Sequence, residues 1–269
     1  MRNDSPGQRG TKLTAIATLF AGLVLVFPAR AETAAPSCDP PLDLTRLTNP
    51  LSRFAQKVLA GAPITVVAIG SSSTAGAGAT SPAANYPSRL LVELQEHFPR
   101  LSITVLNRGV GGEEVADMLQ RFDSSVIAAR PDLVLWQLGT NSVIRDHKLA
   151  DNLELIRSGL ARIRDIGADV VLIDPQFAPK VIVKPDAEAM VELIAGIAKR
   201  ENVDLFRRFE VMRHWRDVDH LGFETFVSPD GLHMNDWSYA CMAKGLGNAI
   251  AEAVQRPIIS ATATPDLFP

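Results

Sequence analysis

Ile64-Thr65-Val66-Val67-Ala68-Ile69-Gly70-Ser71-Ser72-Ser73-Thr74 sets an apolar run of strand length directly ahead of a glycine and three serines. A continuous apolar run, rather than an alternating one, marks a strand covered on both faces, as in a parallel sheet between helices. Similar runs stand at 102–107, 133–138, 170–173 and 203–206. Between them, 86–98, 113–129, 149–166 and 186–200 carry helical periodicity, clearest in Leu149, Leu153, Ile156, Leu160, Ile163 and Ile166. Asn235 is placed to cap a last helix that reaches about Val254. The alternation predicts an α/β fold of three layers, flavodoxin-like, built on a five-stranded parallel sheet.

In such sheets ligands bind beyond the carboxyl ends of the strands. Gly70-Ser71-Ser72, Gly109-Val110-Gly111-Gly112 and Gly139-Thr140-Asn141 follow the first three strands in turn, so they share that edge. Asp230-Gly231-Leu232-His233 lies in the long connection before the last helix, which can return there. Together they hold the parts of an acyl-transfer site. Ser72 supplies a hydroxyl nucleophile at the start of a helical segment, whose free N–H groups and positive end favour a developing oxyanion. His233 is the candidate base, and Asp230 accepts its Nδ1 proton so that Nε2 faces Ser72. Gly112 and Ser72 offer backbone N–H groups, and Asn141 a side-chain amide, to a tetrahedral oxyanion. Each segment alone also fits a plain turn, a helix cap or a surface histidine; their common edge is what joins them. A phosphate loop is disfavoured because Gly-Lys-Ser/Thr is missing and Gly76-Ala77-Gly78 has no third glycine at dinucleotide spacing. His147, His214 and His220 lack the spacing of a metal site, so neither metal nor cofactor is expected.

These four blocks, in this order, resemble those of the SGNH hydrolases, also called GDSL-type esterases and lipases, over about residues 64–254. The resemblance implies Ser72 as nucleophile, His233 as base with Asp230 as its partner, and Ser72, Gly112 and Asn141 as the oxyanion hole. Ser71 stands where that family has an aspartate, a departure that bears on a supporting hydrogen bond. Ser73 is a rival nucleophile, and the register of the first block selects Ser72. The implied activity is hydrolysis of carbohydrate or lipid esters through an acyl-enzyme, with a short acyl group on a glycan, such as an O-acetyl ester, as the expected substrate. A lysophospholipase or thioesterase, an O-acyltransferase to glycans and a catalytically silent glycan-binding module stay open. Residues 176–185 and 207–229 are expected to shape the pocket; Trp215, Phe223 and Phe226 in the second read first as core residues, with a stacking platform for a sugar as the alternative. Asp174 and Gln176 sit near the same edge and read as cap or loop hydrogen-bonding residues.

Residues 1–31 read as an export signal: Arg2, Arg9 and Lys12 precede an apolar run at 13–26, and Ala29-Arg30-Ala31 fits a cleavage site with the cut after Ala31. That run is shorter than the roughly 20 residues that span a bilayer, so no stable membrane insertion is expected after cleavage and the protein is periplasmic or secreted. Residues 32–62 are expected to form an extension with a first helix, and 63–269 the hydrolase domain. After cleavage, 23 basic and 29 acidic residues leave a charge of −6, which argues against a nucleic-acid or anionic-membrane partner and leaves a small-molecule or glycan ester. Oligomeric state stays open. Cys38 and Cys241 are a candidate disulfide, closing a loop of about 200 residues for a stabilisation of up to roughly 5 kcal/mol.

Overall fold

The computed structural model describes residues 1–3, 7, 36 and 38–256. The apolar run and cleavage site of the expected export signal lie outside the described residues. The chain divides into two units, Met1–Pro36 and Ser37–Pro269, and the second holds the whole sheet. Its elements are α1 (Leu42–Thr45), α2 (Ser52–Ala60), β1 (Ile64–Gly70), α3 (Ser72–Ala75), α4 (Tyr86–His97), β2 (Ile103–Gly109), α5 (Val115–Gln120), α6 (Phe122–Ser125), β3 (Leu133–Gln137), α7 (Thr140–Ile144), α8 (Ala150–Asp165), β4 (Asp169–Ile173), α9 (Pro179–Ile182), α10 (Ala187–Glu201), β5 (Asp204–Phe206), α11 (Arg208–Asp217), α12 (Phe223–Phe226) and α13 (Asp236–Gln255).

All five strands pair in parallel, in the order β2-β1-β3-β4-β5. The chain moves outward from β1 to β2 and then returns to β3 on the other side. The reversal places the carboxyl ends of β1 and β3 side by side, where a crevice for ligand opens in such sheets. Every residue of β3 is buried, which is why that segment reads as an unbroken apolar run up to Gln137. Asn85 and Asn235 start α4 and α13, their side-chain oxygens accepting from the N–H groups of Ser88 (2.9 Å) and Ser238 (3.1 Å).

The single helix expected over 113–129 is instead α5, α6 and a 3-10 turn at Ile127–Ala129. The break falls at Arg121, whose guanidinium turns back to the Glu113 carboxylate (2.8 Å) and the Arg108 carbonyl (2.8 Å). Phe122 meanwhile packs its ring 5.3 Å from that of Trp136. These tertiary contacts win over helical period, which is worth only tenths of a kcal/mol per residue.

Residues 38–62 pack within the same unit as the sheet. Leu47, Leu51 and Phe54 are in the core, and a disulfide joins Cys38 to Cys241 of α13.

Candidate active site

At the end of β1 the chain turns through Ser71 into α3, which begins at Ser72 and is only four residues long. So short a helix has little dipole, and what it offers is its unbonded leading N–H groups. Gln137, the last residue of β3, fastens this turn: its Oε1 accepts from Ser71 N (2.8 Å), Ser71 Oγ (3.0 Å) and Thr74 Oγ1 (3.3 Å). Ser71 thus finds its partner on the neighbouring strand, and the neutral pairing suits a fully buried place. Gly109 ends β2 against the same turn, where an added Cβ would come within 2.1 Å of Ala75 N. Ser71 and Ser73 are buried, whereas Ser72 is half-buried and reachable.

His233 comes to Ser72 from 161 residues away. Ser72 Oγ donates to His233 Nε2 (2.8 Å), and His233 Nδ1 donates to Asp230 Oδ2 (2.5 Å). The other oxygen of Asp230 accepts from Ser228 Oγ (2.7 Å), Leu232 N (2.8 Å) and His233 N (2.9 Å). Burial pushes the Asp230 carboxyl up, but the His233 ring and these further donors outweigh it and hold the group well below the usual carboxylate range. An ionised Asp230 can only accept, which fixes the imidazole with its proton on Nδ1 and leaves Nε2 free to take one from Ser72.

Gly112 sits at φ +81°, a conformation that suits glycine, and an added Cβ on its neighbour Gly111 would lie 4.0 Å from the Ser72 Cβ. The bonds from Arg121 to Glu113 and Arg108 brace this loop on both sides. Asn141, in the first turn of α7, donates one amide hydrogen to the Glu113 carbonyl (2.8 Å) and keeps the second. Among the described residues, the N–H groups of Ser72 and Gly112 have no acceptor. Glu114 locks the loop to α7, taking bonds from Arg145 (2.6 Å), Ser142 (2.8 Å) and His147 (3.0 Å). Burial pulls its carboxyl up and those three bonds bring it below its ordinary value. The arrangement offers a hydroxyl whose proton has a receiver, beside N–H donors without partners, which is what acyl transfer requires.

Residues 37–256 match the model of the Non-GDSL lipase-like family. The chain belongs to that family. An acetylxylan esterase of Geobacillus stearothermophilus is 41% identical over 56 residues, 21% of this chain and 26% of that protein. The aligned part therefore spans about a quarter of that relative's length. An arylesterase of Vibrio mimicus is 25% identical over 150 residues, 55% of this chain and 70% of that protein. A two-domain esterase active on acetylated mannans, crystallised with mannopentaose, shares the fold with a TM-score of 0.66 at 18% identity, over 79% of this chain and 56% of that one.

Other expected positions in this Non-GDSL lipase-like chain divide. Trp215 and Phe226 are core residues, 1% and 0% exposed, and form no sugar platform; their rings pack on each other at 5.6 Å. Phe223 is half-buried, with Phe177 stacked at 6.0 Å and the Arg216 guanidinium 5.1 Å from its centre. Asp174 is a buried loop residue whose Oδ1 accepts from Phe209 N (2.9 Å) and whose carbonyl accepts from Arg208. Burial pushes its carboxyl up to about 7. Gln137 and Ser228 are the supports that sequence reasoning missed. For Gln137 a signal existed: it is a polar residue at the end of an apolar strand, two places ahead of Gly139. Among the described residues no cluster of His, Cys, Asp or Glu could hold a metal ion.

Proposed function

We propose that this protein is an exported serine esterase that hydrolyses carboxylic esters through Ser72, His233 and Asp230, with short acyl groups on carbohydrate, such as O-acetyl, as its substrates. The observation that carries the proposal is the unbroken path from Ser72 Oγ through His233 to Asp230, at 2.8 and 2.5 Å. Ser72 Oγ attacks the ester carbonyl carbon while His233 Nε2 takes its proton. The carbonyl oxygen, now an anion, faces the N–H groups of Ser72 and Gly112 and the free amide hydrogen of Asn141. Collapse of the tetrahedral intermediate breaks the bond to the alcohol, which leaves with the proton returned by His233. Water then repeats the sequence on the acyl-enzyme and frees the acid. Asp230 holds the imidazolium through both halves.

The carbohydrate assignment draws support from the named relatives, an acetylxylan esterase and an esterase active on acetylated mannans. It also draws on a cavity of about 630 Å³ beside the Asp230 loop, lined by Pro179, Phe223 and Trp237 together with Thr80, Glu224 and Asn235. A lining of aromatic and other apolar side chains with a few polar groups suits a sugar ring. Export with a cut after Ala31 belongs to the same proposal, and no helix among the described residues is long and apolar enough to cross a membrane.

The test is hydrolysis of p-nitrophenyl esters from acetate to palmitate, and acetate release from acetylated xylan and mannan, with Ser72→Ala alongside. Turnover that depends on Ser72, peaks at acetate and fades by octanoate is expected. A peak at long chains would move the substrate to lipids, and turnover that survives in Ser72→Ala would remove the nucleophile.

A further inference from the structure

Gln176, the third residue beyond β4, is fully buried, and one amide group touches the chain neighbours of three proposed site residues. Its Oε1 accepts from Thr140 Oγ1 (2.9 Å), beside Asn141, and from Ser73 Oγ (3.4 Å), beside Ser72. Its Nε2 donates to the carbonyl of Leu232 (3.2 Å), beside His233. The orientation of the amide follows from chemistry, since a carbonyl can only accept and the two hydroxyls can donate.

We infer that Gln176 is a positioning residue that sets the mutual placement of Ser72, Asn141 and His233 by joining the three separate segments that carry them at one amide. The inference rests on the esterase function proposed above.

The bond to Leu232 matters most, because the Leu232 carbonyl and the His233 N–H belong to one peptide unit. Gln176 holds the first, and Asp230 Oδ1 accepts from the second at 2.9 Å. That peptide plane is pinned at both ends, and the direction of the His233 side chain descends from it. Thr140 opens α7, so the same amide also fixes the turn from which Asn141 points. A buried Gln176 meets no substrate, and its contribution is geometric. Geometry is costly to lose: a displacement of about 1 Å in a reacting group lowers a rate by about 10²-fold.

Both ends of the amide are needed. Methionine fills a similar volume and bonds neither side. Glutamate keeps an acceptor for Thr140 and Ser73, but when ionised it turns a second acceptor on the Leu232 carbonyl. Protonated, it can donate there again.

The experiment measures kcat and KM of the full chain on p-nitrophenyl acetate over roughly pH 5 to 8 for wild type, Gln176→Met, Gln176→Glu and Ser72→Ala, with thermal melts by circular dichroism. Gln176→Met is expected to lose about 30- to 100-fold in kcat with KM within about twofold. Gln176→Glu is expected to be as slow near neutrality, while its rate relative to wild type climbs as pH falls. The ratio matters because it cancels any pH dependence that the two proteins share. A folded Gln176→Met with wild-type kcat, or a Gln176→Glu ratio that is flat with pH, would overturn the inference. If Gln176→Met lacks a cooperative melt, Gln176→Glu decides; if both lack one, Gln176 is a folding residue and the inference is wrong. Ser72→Ala separates the two levels: a dead Ser72→Ala beside an active Gln176→Met refutes only the positioning role, whereas an active Ser72→Ala refutes the esterase site itself.

Discussion

The two edges of the sheet both gather polar side chains and use them in opposite ways. At the amino edge, Asp132, Asp169 and Asp204 stand at the starts of β3, β4 and β5, and each addresses the segment ahead of β1. Asp169 accepts from the N–H groups of Arg53 (3.2 Å) and Phe54 (2.9 Å) at the start of α2. Asp132 accepts from Arg53 Nε and Thr65 N, both at 3.0 Å, and Asp204 Oδ1 from the N–H groups of Thr48 (2.7 Å) and Asn49 (3.0 Å). These bonds clasp residues 38–62 to the strands. At the carboxyl edge, Gln137, Gln176 and Asp230 are also well supplied with partners, but around them the N–H groups of Ser72 and Gly112 have no acceptor among the described residues. Carboxylates turned onto backbone donors fasten structure, and donors held ready are what the proposed site needs.

Proton linkage separates the edges too. Burial pushes Asp169 up to about 6 in spite of its two backbone donors, whereas Asp230 is held low. A carboxyl whose folded pKa lies above its unfolded value of about 3.9 stabilises most below that value, and the contribution is lost as pH rises through the folded pKa. One held low stabilises above the unfolded value and loses its contribution as pH falls through the folded pKa.

The largest expected effect breaks the carboxyl edge alone: Ser72→Ala should lower kcat/KM by about 10⁴-fold or more, with the melting temperature unchanged. Asn141→Ala should cost about 10²- to 10³-fold in kcat with KM nearly constant, as read by steady-state kinetics. At the amino edge the outcome should invert. Asp132→Ala leaves the half-buried Thr65 N–H without its acceptor and returns the exposed Arg53 guanidinium to solvent, at a cost of about 1–2 kcal/mol, lowering the melting temperature by roughly 5 °C while kcat of the folded protein stays within about twofold. Smallest is the linkage effect: Asp169→Asn should flatten whatever decline in melting temperature the wild type shows between about pH 4 and 6, by a few degrees at most. A kcat loss in Asp132→Ala, or a large melting shift in Ser72→Ala, would erase the distinction between the edges.

Much of this was legible in the sequence because it rests on local pattern. The continuous run at 64–69 and its four counterparts mark strands that the structure places within two residues, and the glycine-rich turns after β1, β2 and β3 mark the edge of the proposed site. What stayed illegible depends on contacts across the fold. The break at Arg121 is made by Glu113 and the Arg108 carbonyl, and Trp215 and Phe226 are core rather than platform because each packs on the other. Gln176 reads as a loop residue until Thr140 and Leu232, 36 positions before and 56 after it, arrive at its two ends. The aspartates that open three neighbouring strands, in Pro131-Asp132-Leu133, Ala168-Asp169-Val170 and Val203-Asp204-Leu205, recur in plain view. Their partners lie 67 to 156 residues away, which is why the recurrence says nothing by itself.

The central claim is that His233 activates Ser72 and neither of its serine neighbours. Mapping the adduct left by a fluorophosphonate tests it most directly, with peptides sequenced from wild type and from His233→Ala. The account predicts phosphonylation on Ser72, absent from Ser71 and Ser73, and nearly lost in His233→Ala. An adduct on Ser73, or labelling of Ser72 that proceeds at the same rate without His233, would contradict it.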